Sequence, residues 1–144
     1  MKKLIAIILT LAILIGCTSA SNNDGVFEIT ERFFSAQMFE VFADSQNFLG
    51  RTIRYEGMFN ARYLDVSNEY IFLVFRYTEG CCFPEEALGF EVYLNDIPPP
   101  ENDSWVEVTG VLEHFTIDGV NFLRLNVTSL IELEERGLEF VHSL

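Results

Sequence analysis

The sequence predicts a mainly β fold: a small five-stranded barrel preceded by an N-terminal helix. Three features carry this prediction. Apolar residues recur at helical spacing before Gly50 and alternate from Arg51 onward. Five strand-like runs then follow within about eighty residues, bounded by turn-forming segments. Asp118-Gly119 separates the last two runs, and an Asp-Gly pair favours a tight hairpin turn.

The chain opens on a different kind of segment. Lys2 and Lys3 precede an uncharged apolar run from Leu4 to Ile15, the layout of a secretory signal, too short to span a bilayer permanently. The run closes in Leu14-Ile15-Gly16-Cys17, which resembles the bacterial lipobox. That resemblance implies removal of residues 1–16 and acylation of Cys17. Several acyl chains anchor stably, because each buried methylene contributes about 0.8 kcal/mol. A plain secretory signal with an incidental cysteine is the alternative. Residues 17–25 are small and polar and read as a lipidated, flexible tether. Residues 26–144 have the length of one domain.

Val26 to Thr30 suits a short strand. Thr30 suits a helix cap, with Glu31 in the first turn where the positive helix end favours a carboxylate. Phe34, Met38, Val41 and Phe42 set a helix over about 31–43. A turn or second short helix at 45–49 follows, with Gly50 as the stop. The first barrel strand then places Ile53, Tyr55, Gly57 and Phe59 on one face, against Arg54 and Glu56. The second, residues 69–77, is almost continuously apolar and suits burial on both faces. The third alternates Phe90, Val92 and Leu94 with Glu91 and Tyr93. The fourth alternates Val106, Val108, Gly110 and Leu112 with Trp105, Glu107, Thr109 and Val111. The fifth starts at Val120. Residues 95–104 hold Pro98-Pro99-Pro100, which exclude a strand or long helix there. The acidic tail carries Leu138, Phe140 and Val141, expected to pack back on the barrel. Gly57 and Gly110 fall where strands of a small barrel coil sharply, which fits the OB type. An SH3-like barrel or a small sandwich is the competing solution.

Charge excludes some partners. The chain carries 9 Lys+Arg against 22 Asp+Glu, a net −13. Loss of Lys2 and Lys3 leaves seven arginines against 22 acids, a net −15 and no lysine. Such a surface repels nucleic acid and anionic bilayers alike, so the lipid is the expected membrane contact. The expected location is the cell envelope, on the extracytoplasmic side.

With Cys17 given to the lipid, Cys81 and Cys82 are the whole thiol inventory. Outside the cytoplasm thiols tend to oxidise, and adjacent cysteines can close only a strained, reducible ring. Gly80 and Pro84 place the pair in a turn, where both sulfurs could face one way. The pair is therefore open to three readings: a redox-labile disulfide, a zinc or copper site completed by Glu79, Glu85, Glu86 or His114, or small side chains closing the barrel end. No CxxC or HxxxH spacing supports the metal. No Ser-His-Asp set, phosphate-cradling glycine loop or zincin motif occurs, so no catalysis is expected. Trp105 and the phenylalanines are expected to fill the core. Among the tyrosines, Tyr55, Tyr77 and Tyr93 are the candidate exposed stacking face, with Tyr63 and Tyr70 beside them.

Gly50, Ile53 and Gly57, then Cys81-Cys82, then Trp105, Val106, Val108 and Gly110 together form a longer pattern. It resembles the C-terminal OB-like domain of the YcgQ-like bacterial membrane proteins, over about residues 27–132. The resemblance implies an OB-like fold and an extracytoplasmic role beside a membrane permease, and it implies no reaction. Two departures stand out. A lipid anchor takes the place of transmembrane helices, and Arg51 stands where the family usually has lysine. The expectation is a membrane-anchored accessory module, with metal handling or thiol redox chemistry at Cys81-Cys82 as the alternative.

Overall fold

The computed structural model describes residues 25–65, 68–79, 86–117 and 119–142. The signal, Cys17, most of the tether and the Cys81-Cys82 pair lie outside the described residues. Among those described, no helix is long and apolar enough to cross a membrane.

Strand β1 (Phe27–Glu28) leads into a single 3₁₀ turn, Glu31–Phe33, then helices α1 (Phe34–Ala43) and α2 (Ser45–Phe48). Six strands follow: β2 (Thr52–Leu64), β3 (Glu69–Glu79), β4 (Glu86–Tyr93), β5 (Trp105–Ile117), β6 (Val120–Glu132) and β7 (Phe140–His142). Strand β2 pairs along its first half with β5 and along its second half with β3, which closes a barrel in the order β2-β3-β4-β6-β5. The β4–β6 contact is parallel and the other four are antiparallel. This is the five-stranded OB-type arrangement that the sequence predicts.

Helix α1 forms because its apolar residues repeat at three- and four-residue steps. Phe34, Met38 and Val41 are buried in the same cluster as Ile53, Phe59, Val74 and Val106 of the barrel. Thr30 gives no side-chain cap. Instead Gln37 reaches back from α1: its Oε1 accepts from Thr30 N at 2.9 Å and its Nε2 donates to Glu28 O at 3.0 Å. The long amide thus ties α1 to β1, a link that capping rules do not anticipate. Gly50 does end the helical region, at φ 77°, and its amide donates to Leu112 O.

Tyr55 corrects an expectation. It points into the barrel and is 1% exposed, so it belongs to no stacking face. Its hydroxyl donates to Val74 O at 2.7 Å and accepts from Phe90 N at 3.2 Å, bridging β3 and β4 from inside. Burial pushes its phenol far above the ordinary tyrosine value, and it stays neutral. Tyr55→Phe keeps the ring but removes both buried hydrogen bonds of the hydroxyl. A loss of about 1–3 kcal/mol is expected in urea unfolding. A loss below about 0.5 kcal/mol would show that the bridge is unimportant.

The aromatic core is also smaller than expected. Trp105 is buried, but outside the barrel, in a second cluster with Met58 and Phe75 that Leu133 helps to cover. Phe33, Phe39, Phe42, Phe122 and Phe140 are exposed. Strand β3 is buried on both faces only at Val74, Phe75 and Arg76, where these layers overlap. The tail does return, as β7, parallel to β3. Only Val141 of its apolar residues is buried; Leu138 and Phe140 stay exposed, Phe140 stacked on Tyr77 at 5.5 Å.

Arg76 holds these layers together. It is 1% exposed, with its guanidinium 4.6 Å from the Phe34 ring and 4.9 Å from Trp105. Its Nε donates to Glu56 O at 2.8 Å, and its Nη1 to Leu138 O at 3.1 Å and Glu31 Oε2 at 3.3 Å. Helix, barrel and tail therefore meet on one side chain. Burial lowers its pKa, with Glu31 and then Glu56 acting against that shift.

Candidate functional site

Beyond the barrel proper, β5 and β6 continue as a two-stranded arm. Pairing of β2 with β5 ends at Val111, and pairing of β4 with β6 ends at Arg124, yet β5 and β6 pair on to Ile117 and Val120. Side chains alternate across the arm with a period of two. Leu112 and Leu125 are the last fully buried inward residues. Further out, the inward positions of β5 turn polar, His114 and then Thr116, whose hydroxyl bonds Asn121 at 2.8 Å, while Leu123 opposite His114 still packs on the core. The outward positions turn apolar, namely Phe115, Ile117, Val120 and Phe122. Ile117 is 52% exposed, Val120 55% and Phe122 45%. Beyond Leu123 the arm reverses the usual amphipathic sense of a barrel strand, and a contiguous exposed apolar face of this kind marks a contact surface.

Arg124 organises the base of this face. Its guanidinium lies 4.6 Å from the ring of Tyr93 and 4.9 Å from that of Phe115. Its Nε donates to Glu113 Oε1 at 2.7 Å, and Asn126 Nδ2 donates to the other oxygen of the same carboxylate. Phe115 in turn packs on Phe122 at 5.7 Å. The arm's aromatic residues are thus set by a fixed, already neutralised guanidinium.

Glu91 lies on the other side of Arg124, as its cross-strand partner on β4. It is half-buried, and burial raises its pKa above the ordinary glutamate value, with Arg124 pulling it back in part. A carboxyl raised on folding adds stability only while protonated. That contribution is complete below about pH 4.3, the unfolded value, and is lost as pH rises through the raised folded value. Ionised Glu91 therefore costs stability at neutral pH. Glu91→Gln is expected to raise Tm at neutral pH by about 1–2 °C and to leave it unchanged near about pH 3. Thermal unfolding at the two pH values checks this, and an unchanged or lower neutral Tm contradicts it.

The predicted tyrosine face does not assemble. Tyr55 is inside the barrel, Tyr77 is half-buried against Phe75 and Phe140, and Tyr93 is exposed. Tyr77 pairs with Ala87, and Tyr93 lies six residues further along β4. Six residues of strand span about 20 Å. Only Tyr93 borders the arm, under the Arg124 guanidinium at its base. Tyr63 and Tyr70 form an exposed cross-strand pair at the far end of the β2–β3 hairpin. His114 is exposed, opposite Leu123. Among the described residues no three His, Cys, Asp or Glu side chains group as a metal site.

Phe115, Ile117, Val120, Phe122, Arg124 and Glu91 escape the sequence reading. Their signal is nevertheless present. Continuing the outward series Trp105, Glu107, Thr109, Val111 by twos reaches Phe115 and Ile117.

Barrel order, parallel closing contact and outward arm define this protein as an OB-like domain. The chain belongs to the DUF1980 C-terminal domain family, whose pattern matches residues 17–142. That is the family to which the YcgQ-like resemblance points, and the match spans all the residues that carry it. No curated protein and no solved structure matches the chain.

Proposed function

We propose that this protein is a lipid-anchored, extracytoplasmic docking module without catalysis of its own, held to the membrane through Cys17 and presenting the β5–β6 arm to a membrane protein. The reversed arm is the observation that carries the reading. Three exposed apolar side chains, Ile117, Val120 and Phe122, with half-buried Phe115 beside them, lie on a two-stranded extension outside the barrel core, so their value lies in a contact. The lipobox resemblance supports the anchor, and the permease association comes from the family resemblance.

A photo-reactive phenylalanine at position 122 of the full-length chain, irradiated in intact cells, tests it. The expected result is a discrete adduct with a membrane protein, absent when the probe sits at Asn47 on the exposed side of α2. No adduct from position 122, or the same adducts from both positions, would overturn the docking surface. Cys17→Ser is expected to move the chain from the membrane to the soluble fraction. Retention in the membrane would overturn the anchor.

A further inference from the structure

The chemistry of the partner follows from how charge is distributed over the arm. On the outer face Glu91, Arg124 and Glu113 lie side by side across β4, β6 and β5. One guanidinium stands between two carboxylates and is committed to Glu113 at 2.7 Å, with aromatic rings on it from Tyr93 and Phe115. Glu91 makes no ion pair among the described residues, although it is half-buried beside Arg124. The row carries one negative charge in excess, bordered by Tyr93, Phe122, Ile117 and Val120.

We propose that the arm receives a basic, apolar protein segment, with a lysine or arginine of the partner seated against Glu91 and its apolar side chains on Phe122, Ile117 and Val120. This rests on the reading of the arm as a docking face. Charge complementarity selects the occupant. A second copy of this chain would bring another net −13 and a second Glu91 to the same place, and like charges facing each other disfavour that contact. An anionic bilayer is repelled for the same reason. A basic segment is attracted over about 8–10 Å at physiological salt and finds an apolar surface on arrival. An anionic ligand is disfavoured too, since Arg124 would have to leave Glu113 to receive it.

The test uses the full-length lipidated chain in nanodiscs of neutral phosphatidylcholine. The probe is a fluorescent peptide alternating lysine with valine or leucine, compared with its glutamate-for-lysine counterpart by anisotropy. The basic peptide is expected to bind and the acidic one not to. Glu91→Gln and Phe122→Ser should each weaken binding by about tenfold or more. Glu101→Gln removes the same charge from the β4–β5 loop and should change binding by less than about twofold. Equal effects of Glu91→Gln and Glu101→Gln, or binding of the acidic peptide, would overturn the proposal. The expected higher neutral Tm of Glu91→Gln separates lost binding from lost folding. The crosslink from position 122 separates this inference from the docking reading. An adduct of undiminished yield in the Glu91→Gln chain keeps the docking face and removes the basic partner. Loss of every adduct from the otherwise wild-type chain removes both.

Discussion

Arg76→Ala is expected to destabilise the protein by about 3–5 kcal/mol, a large part of the 5–15 kcal/mol typical of a domain. The size follows from what the guanidinium holds. Two backbone carbonyls, of Glu56 and Leu138, accept from it, and hydrogen bonds to a charged donor contribute about 1.5–3 kcal/mol each. Contact with the Phe34 and Trp105 rings adds about 0.5–2 kcal/mol where the cation is desolvated. The ion pair with Glu31 adds least, because that carboxylate is half exposed and screened. These contributions share one side chain and do not add, so the lower part of their sum is the sound expectation. Arg76→Lys keeps the charge but not the planar fork, and should recover less than half of the loss. Glu31→Gln retains an acceptor for the Leu138 amide and should cost about 1 kcal/mol or less. The loss should also have a direction. Residues 133–142 are tied to the domain by Arg76, the short β7 ladder and a few single hydrogen bonds such as Arg136 to Asp103 O and Ser35 to His142 O, so amide exchange at Tyr77 and Val141 should rise more than at Val108. Urea unfolding and amide exchange check both statements. An Arg76→Ala chain within about 1 kcal/mol of the parent would show that the tail is held by β7 and its other hydrogen bonds without Arg76.

That residue also shows where the sequence stops being readable. The barrel is legible because it rests on local signals: the switch of period after Gly50, the alternation along β5, the Asp-Gly turn and the triple proline. Period two even decides Tyr55, which shares a face with Ile53, Gly57 and Phe59. Assigning it to an exposed stacking face overrides a pattern that was already correct. Arg76 has no such signal. A lone arginine in a strand ordinarily reads as surface, and it is buried here only because α1, Trp105 and the tail converge on β3 from distant parts of the chain. Those contacts join residues 45 and 62 positions apart. The arm is an intermediate case. Its alternation is visible, but which face turns outward depends on where β2 and β4 stop pairing, and that is a property of the closed barrel. The reading of Glu91 has the same root. Its neighbour Arg124 becomes committed to Glu113 only when β4, β6 and β5 lie side by side.

Gly89→Ala is expected to cost about 3 kcal/mol or more, or to prevent accumulation of folded protein altogether. Gly89 faces Phe75 in the β3–β4 register. A Cβ placed there would run into the Val74 carbonyl and lie 2.6 Å from Phe75 Cα and 2.8 Å from Phe75 Cβ. Two of those atoms are backbone, so no change of rotamer relieves the clash and β3 or β4 has to move. Gly57 presses on the same residue from the β2 side, where a Cβ would come within 2.9 Å of Phe75 O. Phe75 is thus flanked by glycine on both neighbouring strands, which is how three strands coil tightly enough to close a five-stranded barrel. The sequence reading places the bend at Gly57 and Gly110. Gly110 does mark an irregularity, a register shift between Thr109 and Gly110, but Gly89 is the tightest of the three. Gly119 is the control. Its φ of 82° strains any other residue, yet nothing lies near its Cβ position, so Gly119→Ala should cost only about 1 kcal/mol. The expected order of loss in thermal unfolding is Gly89→Ala, then Gly57→Ala, then Gly119→Ala. Equal losses at positions 89 and 119 would mean that closure of the barrel does not depend on the squeeze around Phe75. The arm would then have to be explained without a rigid base. Its outward face is fixed by the β5–β6 and β4–β6 registers, and those registers exist only while the barrel stays shut.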